Sequence, residues 1–167
     1  LFAWGSLTPG VVTYEEIDGT GFSGQAITSI AIDPSNVNNV VVTLGNYGNS
    51  NYVMYSTNGG QSFNPIQGNL PLAPVYSSLI EKETGVVFVG TENGLYYTEN
   101  MSTWTKDGVV SNIPVMDIKQ QSQTNHEDKY TYLVDEFGKV VDKIVYPGIS
   151  NEGMIYVATY GRGLYRY

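Results

Sequence analysis

Cysteine is absent from the chain. Disulfide staples, thiolate metal sites and cysteine nucleophiles are therefore excluded. Histidine occurs once, at His126, too few for a cluster of imidazole ligands. Arginine occurs only at Arg162 and Arg166, and eight basic residues face sixteen acidic ones, a net charge of −8. A nucleic-acid binder needs a basic stripe to displace counterions, and this sequence has none. An anionic membrane surface would repel it for the same reason. No apolar run approaches the roughly 18 residues of a membrane-spanning helix. No window of about eleven residues keeps the 3.6-residue period of an amphipathic helix.

What is present points to strands and turns. Among 167 residues there are 14 Tyr and 19 Gly, with frequent Val, Ile, Asn and Ser. Tyr, Val, Ile and Thr suit a pleated surface, while Gly, Asn, Asp and Pro suit the bends between strands. The length is that of one domain. The chain opens Leu1-Phe2-Ala3-Trp4, without Met and without a basic stretch leading an apolar one. This reads as a processed, cut or trimmed end rather than a signal peptide.

Three stretches share one grammar. An alternating strand (27–33, 75–81, 115–120) is followed by a turn and a Val-rich strand (40–44, 86–90, 155–159). A Gly-containing turn then leads into a Tyr-rich strand (52–56, 94–98, 163–167). A fourth strand is expected at 62–66 and 103–106, and the third unit stops before reaching one. Residues 12–17 (VTYEEI) resemble an orphan fourth strand preceding the first unit. A four-strand unit of about 40–50 residues predicts an all-β fold of three four-stranded antiparallel propeller blades, at approximately 27–66, 75–106 and 114–167. Residues 121–153 interrupt the third unit, and their alternation predicts an inserted hairpin over 130–146, either a decoration of the blade or a docking element.

The phrase Ser56-Thr57-Asn58-Gly59-Gly60-Gln61-Ser62-Phe63 resembles the Asp-box, or bacterial neuraminidase repeat. Asn58 and the glycine pair suit a tight hairpin, the Ser and Asn side chains can bond its backbone, and Phe63 can plug it from beneath. The second unit carries a version one residue shorter and without glycine, Thr98-Glu99-Asn100-Met101-Ser102-Thr103-Trp104, with Trp104 as the plug. The opening IAIDPSNVNNVVV is similar to blades of sortilin-type and xyloglucanase-like propellers. The ending IYVATYGRGLYRY resembles the closing blade of secreted bacterial Asp-box proteins, with Tyr160 where His is usual. The resemblance implies a structural role for Ser56, Asn58, Gly60, Ser62, Phe63 and Trp104, and an exported or cell-surface bacterial protein. Because a propeller typically uses 4–8 blades, it also implies that the three blades complete their ring with the rest of the same propeller or with a partner chain.

The chemistry is sparse. Sialidases that share the Asp-box hold the substrate carboxylate with three arginines and use Tyr with Glu as nucleophile; two arginines cannot build that site. Asp33 and Asp117, at equivalent first strands, are candidates for a carboxylate pair, but Asp33 reads more simply as a turn cap and Asp117 as a channel polar group. His126 reads as part of a solvated polar loop. No catalytic residue, metal site or cofactor site is therefore expected. The turns between second and third strands should lie side by side on one face and present Tyr47, Asn49, Glu92, Asn93, Tyr160 and Arg162. Aromatic rings with amides and charges suit a glycan or a protein partner. The expected function is a non-catalytic binding scaffold. The alternatives are part of a glycoside hydrolase, sialidase- or xyloglucanase-like, with its catalytic residues outside this chain, and a subunit of a surface or secretion assembly.

Overall fold

The computed structural model describes Phe22 and residues 24–167; the strand expected at 12–17 lies outside them. The described residues form thirteen strands and no helix. The first sheet is β1 (Ile27–Ile32), β2 (Val40–Leu44), β3 (Val53–Ser56) and β4 (Asn64–Pro65), hydrogen-bonded in chain order. The second is β5 (Val75–Ile80), β6 (Val87–Thr91), β7 (Gly94–Thr98) and β8 (Thr105–Ser111), in the same order. A hairpin, β10 (Lys129–Val134) with β11 (Val140–Tyr146), forms a sheet of its own. The third sheet pairs β9 (Val115–Gln120), β12 (Ile155–Thr159) and β13 (Gly163–Arg166), with β12 in the middle. All these pairings are antiparallel. The chain is thus all-β, built of up-and-down blades as in a propeller, the third with three strands.

The fourth strands depart from their expected extents for local reasons. β4 is only two residues long, because Pro65 has no N–H to offer a ladder and belongs at an edge. β8 runs on to Ser111 across a register shift. Asp107 permits this by accepting the N–H groups of Val109 (2.8 Å) and Val110 (2.5 Å) where the ladder is interrupted.

Period-2 alternation divides the second sheet between two cores. Ile80, Val87, Val89 and Tyr96 face the first sheet and meet Ala31, Val41, Val53 and Ile66. Their neighbours Leu79, Phe88 and Leu95 face the third sheet and meet Val115, Ile118, Ile155 and Val157. Val41, Val53, Val87, Val89, Val115 and Val157 are fully buried. The far face of the first sheet is different: Val40, Val42 and Met54 pack under Phe22 and Phe63, but Ile30 and Ile32 stand 62 % and 56 % exposed.

The first strands of the three sheets lie side by side, β1 against β5 and β5 against β9. Polar bonds fix their spacing. Ser29 Oγ accepts the Ser78 N–H at 3.1 Å and lies 3.0 Å from Ser78 Oγ. Gln120 donates to Glu81 Oε1 at 2.6 Å and accepts the Lys82 N–H at 2.9 Å. Burial pushes the Glu81 carboxyl up, but hydrogen bonds from Thr84, Gln120 and the backbone N–H groups of Thr84 and Glu83 outweigh it and hold the group at about 2.

The turns after β3 and β7 show how local chemistry shapes the blade ends. Ser56 Oγ accepts the N–H groups of Asn58 and Gly60, at 3.2 and 2.9 Å, and Asn58 Oδ1 accepts that of Ser62 at 3.0 Å. Gly59 and Gly60 take φ of 70° and 89°. The shorter second turn keeps the bonding without glycine: Asn100 Oδ1 accepts the N–H groups of Ser102 and Thr103, at 3.0 and 2.8 Å, while Met101 itself turns left-handed at φ 59°. That conformation costs a side chain about 1–2 kcal/mol, and packing of Met101 against the first core offsets it. Phe63 meets Phe22 edge-on at 5.0 Å, and Trp104 is buried.

Candidate functional site

The β2–β3 turn and the β6–β7 turn are joined directly. Tyr47 Oη donates to Glu92 Oε1 at 2.6 Å. That bond, then burial and the Glu92 charge, push the Tyr47 phenol up to about 12, so the proton stays on the phenol. Tyr76 joins the pair. Its phenol is raised by burial and by Glu92, with a hydrogen bond to Tyr47 acting the other way. Glu92 is itself positioned from behind, since its N–H donates to the Pro74 carbonyl at 3.1 Å. The loop that brings the chain from β4 into β5 therefore braces the same face.

The third blade repeats that bracing: the Tyr160 N–H donates to the Pro114 carbonyl at 2.8 Å. Tyr47 and Tyr160 stand 69 % and 73 % exposed, so both rings are open to a ligand. Arg162 is exposed too and, among the described residues, belongs to no ion pair. Asn93 is exposed, its N–H donating to Thr91 Oγ1 and its carbonyl accepting the Asn112 N–H. No bond links Tyr160 or Arg162 to the Tyr47–Glu92 pair among the described residues. The structure thus brings Tyr47, Tyr76 and Glu92 together and leaves Tyr160 and Arg162 as a separate exposed pair on the next turn.

Asn49 goes elsewhere. It is half-buried and lines a cavity of about 180 Å³ with Gln25, Leu44, Ser50, Asn51 and Met54. The segment before β1 forms one wall of it. Sequence reasoning placed Asn49 on the turn surface and did not find Gln25 or Tyr76; only the position of Tyr76, one residue into a first strand beside a turn, hinted at its role.

The remaining candidates have structural roles. Asp33 is buried and caps its turn, with Oδ1 accepting the N–H groups of Ser35 and Asn36 and Oδ2 accepting from the Asn39 side chain. Asp117 is exposed and pairs with Lys119 at 3.3 Å. His126 is an exposed loop residue, and its Nε2 lies 2.6 Å from Glu152 Oε2, whose partner oxygen meets Lys82 Nζ at 3.2 Å. Burial raises the Glu152 carboxyl, and Lys82 and His126 more than offset this and hold it below the usual carboxylate range. This cluster ties the two legs of the insertion to the β5–β6 turn. No group of three or more His, Cys, Asp or Glu among the described residues has the geometry to hold a metal ion.

No protein-family model matches the chain, and no curated protein matches it. Among solved structures the chain is similar to a GH74 xyloglucanase from Xanthomonas campestris, with a TM-score of 0.49 and 15 % identity. The match covers 84 % of this chain and 22 % of that enzyme, so the chain spans about a fifth of its length.

Proposed function

We propose that this chain is a portion of a larger Asp-box propeller from an exported or cell-surface protein, and that it acts as a non-catalytic scaffold whose turn face binds a partner, a glycan before a protein. The observation that carries the reading is the Tyr47–Glu92 bond between turns of adjacent blades. It makes one continuous polar and aromatic surface from two blades, with Tyr160 and Arg162 on the turn of the third. Exposed tyrosine rings offer a stacking face to sugar C–H groups, and Asn93, Glu92 and Arg162 offer hydrogen bonds around it. The apolar, exposed Ile30 and Ile32 support further blades beyond the first sheet.

A hydrolase reading has one observation in its favour, since a tyrosine paired with a glutamate is the nucleophile arrangement of Asp-box sialidases. Against it stands a sequence with only two arginines. The test is a glycan microarray probed with the labelled protein, run beside a fluorogenic sialoside hydrolysis assay. The reading expects at least one glycan class to be retained, at least tenfold weaker binding for Tyr47→Ala and for Tyr160→Ala, and no hydrolysis. Retention of no glycan, or Tyr47-dependent turnover of the sialoside, overturns it.

A further inference from the structure

We propose that the inserted hairpin is a dimerisation arm: the outer edge of β10 pairs with β10 of a second copy of this chain, antiparallel and centred on Tyr132. This goes beyond the turn-face reading and does not depend on it. The hairpin stands apart from the blades. It forms a sheet of its own, and all six residues of β10 and all seven of β11 are exposed. Nine of these thirteen are large hydrophobics, and exposed apolar surface gathered in one element marks an interaction site. A two-stranded hairpin alone is marginal in water, whereas three or more strands with an apolar face can be stable.

The two outer edges of the hairpin differ. β11 carries a bulge: Leu133 pairs with Asp142 and Val134 with Val140, which leaves Val141 as the extra residue. Asp142 and Lys143 stand at its middle. Bulges and charges are devices that blunt an edge. β10 has no bulge and no proline, and its one charge, Lys129, is at its end. The turn fixes which backbone groups β10 offers. The Asp135 N–H donates across the hairpin to the Lys139 carbonyl at 2.9 Å. Backbone direction alternates along an antiparallel strand, so Leu133, Thr131 and Lys129 also turn toward β11. Val134, Tyr132 and Tyr130 turn their N–H and carbonyl groups outward, and no strand among the described residues pairs with them.

That edge is complementary to itself. A second copy related by a two-fold axis presents the same residues in reverse. With Tyr132 opposite Tyr132, each Tyr130 faces the other copy's Val134, and the outward groups form about six backbone hydrogen bonds. The same register sets Lys129 opposite Asp135 at both ends. Opposite charges, aromatic pairs and aromatic–β-branched pairs are the stabilising combinations across a ladder. Centring the pair on Thr131 or Leu133 instead sets Lys129 against Leu133 or Phe137 and loses both charge pairs. One position further out, Asp128 would face Glu136, a like-charge pair that ends the ladder; Asp128 turns back and accepts the Gly148 N–H at 2.8 Å.

Charge also selects the arm as the place where two copies meet. The chain carries −8, so two copies repel. The hairpin sets Lys129, Lys139 and Lys143 against Asp135, Glu136 and Asp142 and is neutral, so the whole excess lies outside it. A paired length of seven residues, at about 3.4 Å each, sets the two bodies at opposite ends roughly 24 Å apart. That exceeds the Debye length of about 8 Å at physiological salt. The arm is rooted before any partner arrives. The Ile149 N–H donates to the Asn125 carbonyl at 2.8 Å, His126 meets Glu152, and the two legs run so close that a Cβ at Gly148 would strike the His126 carbonyl. Pairing therefore orders little that was free.

The test is sedimentation velocity of the full chain over a concentration series up to about 1 mM, with air oxidation of single-cysteine variants beside it. The arm predicts a shift toward twice the monomer mass as concentration rises. Tyr132→Pro removes an outward N–H and leaves the bonds to β11 in place, so it should dimerise at least tenfold more weakly. Lys129→Glu turns two attractive pairs repulsive and should weaken dimerisation about tenfold; it guards against misfolding of the proline variant. The sequence has no cysteine, so Tyr132→Cys gives one thiol per copy. Opposed residues of a hydrogen-bonded pair have Cα atoms about 5.5 Å apart, within disulfide reach, and this variant should oxidise to a covalent dimer. Val145→Cys lies on the same face but one strand further out, and should keep its thiol. A monomer at every concentration overturns the second copy and gives the hairpin to another segment or another protein. A dimer indifferent to both Tyr132→Pro and Lys129→Glu, or one cross-linked through Val145→Cys and not through Tyr132→Cys, overturns the β10 edge.

Discussion

Replacing Trp104 by alanine is expected to cost about 3–5 kcal/mol of stability, the range for a fully packed tryptophan, and to lower the melting temperature by roughly 6–20 °C for a chain of this size. Trp104 is 3 % exposed and belongs to the core between the first two sheets. Its indole N–H donates to the Ile66 carbonyl at 2.8 Å. Its backbone is clasped by Asn69, which accepts the Trp104 N–H at 2.6 Å and donates to the Trp104 carbonyl at 3.0 Å. Truncation therefore empties a plugged space and strands a buried carbonyl on the neighbouring blade. Trp104→Phe separates the two effects. It keeps most of the volume but loses the N–H, so it should cost about 1–3 kcal/mol for the unmet buried acceptor, with a smaller cavity penalty added. Guanidinium denaturation of both variants measures this, and a loss below about 1 kcal/mol for Trp104→Ala would show that the residue is no plug.

Gly90→Ala is expected to destabilise by up to about 2.5 kcal/mol net even though alanine is the better residue inside a regular strand. A glycine in a strand costs roughly 0.5–1 kcal/mol in chain entropy, so on propensity alone the substitution should help. The surroundings reverse the sign. A Cβ at Gly90 would strike Ser77 Oγ and would lie 2.5 Å from Val115 Cγ1 and 2.7 Å from the Val115 carbonyl oxygen. The two side-chain atoms can rotate aside. The carbonyl belongs to the backbone of β9 in the next blade and cannot. Overpacking of this kind typically costs about 1–3 kcal/mol, which exceeds the entropic gain. Gly108→Ala is the control, since nothing lies within 4 Å of a Cβ built there; thermal melts should show it unchanged or slightly stabilised while Gly90→Ala falls.

The two glycines also show what was legible in the sequence. The strands of the second blade were readable because each alternates between two cores: Val87 and Val89 toward one, Phe88 toward the other. The turn after β3 was readable because Ser56 and Asn58 bond the backbone within a few residues of themselves. Nothing in the residues around Gly90 announced that another blade's carbonyl presses against it, because that contact is made between distant parts of the chain. The same limit applied to the site. Tyr47 and Glu92 were both expected on the turn face, since each sits at an equivalent turn. Asn49 shares that turn but is half-buried, and Gln25, which lines the same pocket, lies before β1 in a segment with no periodicity to mark it. His126 is exposed, as expected, but its contact with Glu152 was not legible, because Glu152 comes from the far leg of the insertion.

The account depends above all on the first strands of successive sheets lying side by side, since this alone aligns the turns of neighbouring blades into one face. Ser29 and Ser78 report on it directly, with their Oγ atoms 3.0 Å apart across β1 and β5. The sequence contains no cysteine, so Ser29→Cys with Ser78→Cys introduces the only two thiols. Disulfide geometry is strict, with Cβ atoms about 3.5–4.5 Å apart, and distant strands cannot satisfy it. The arrangement predicts that the folded double variant oxidises to an intramolecular disulfide in air. It also predicts that oxidation raises the melting point, by up to about 4 kcal/mol of stability for a closed loop of this length. Two thiols that remain titratable in the folded, air-oxidised protein would contradict the arrangement of the blades and the shared turn face built on it.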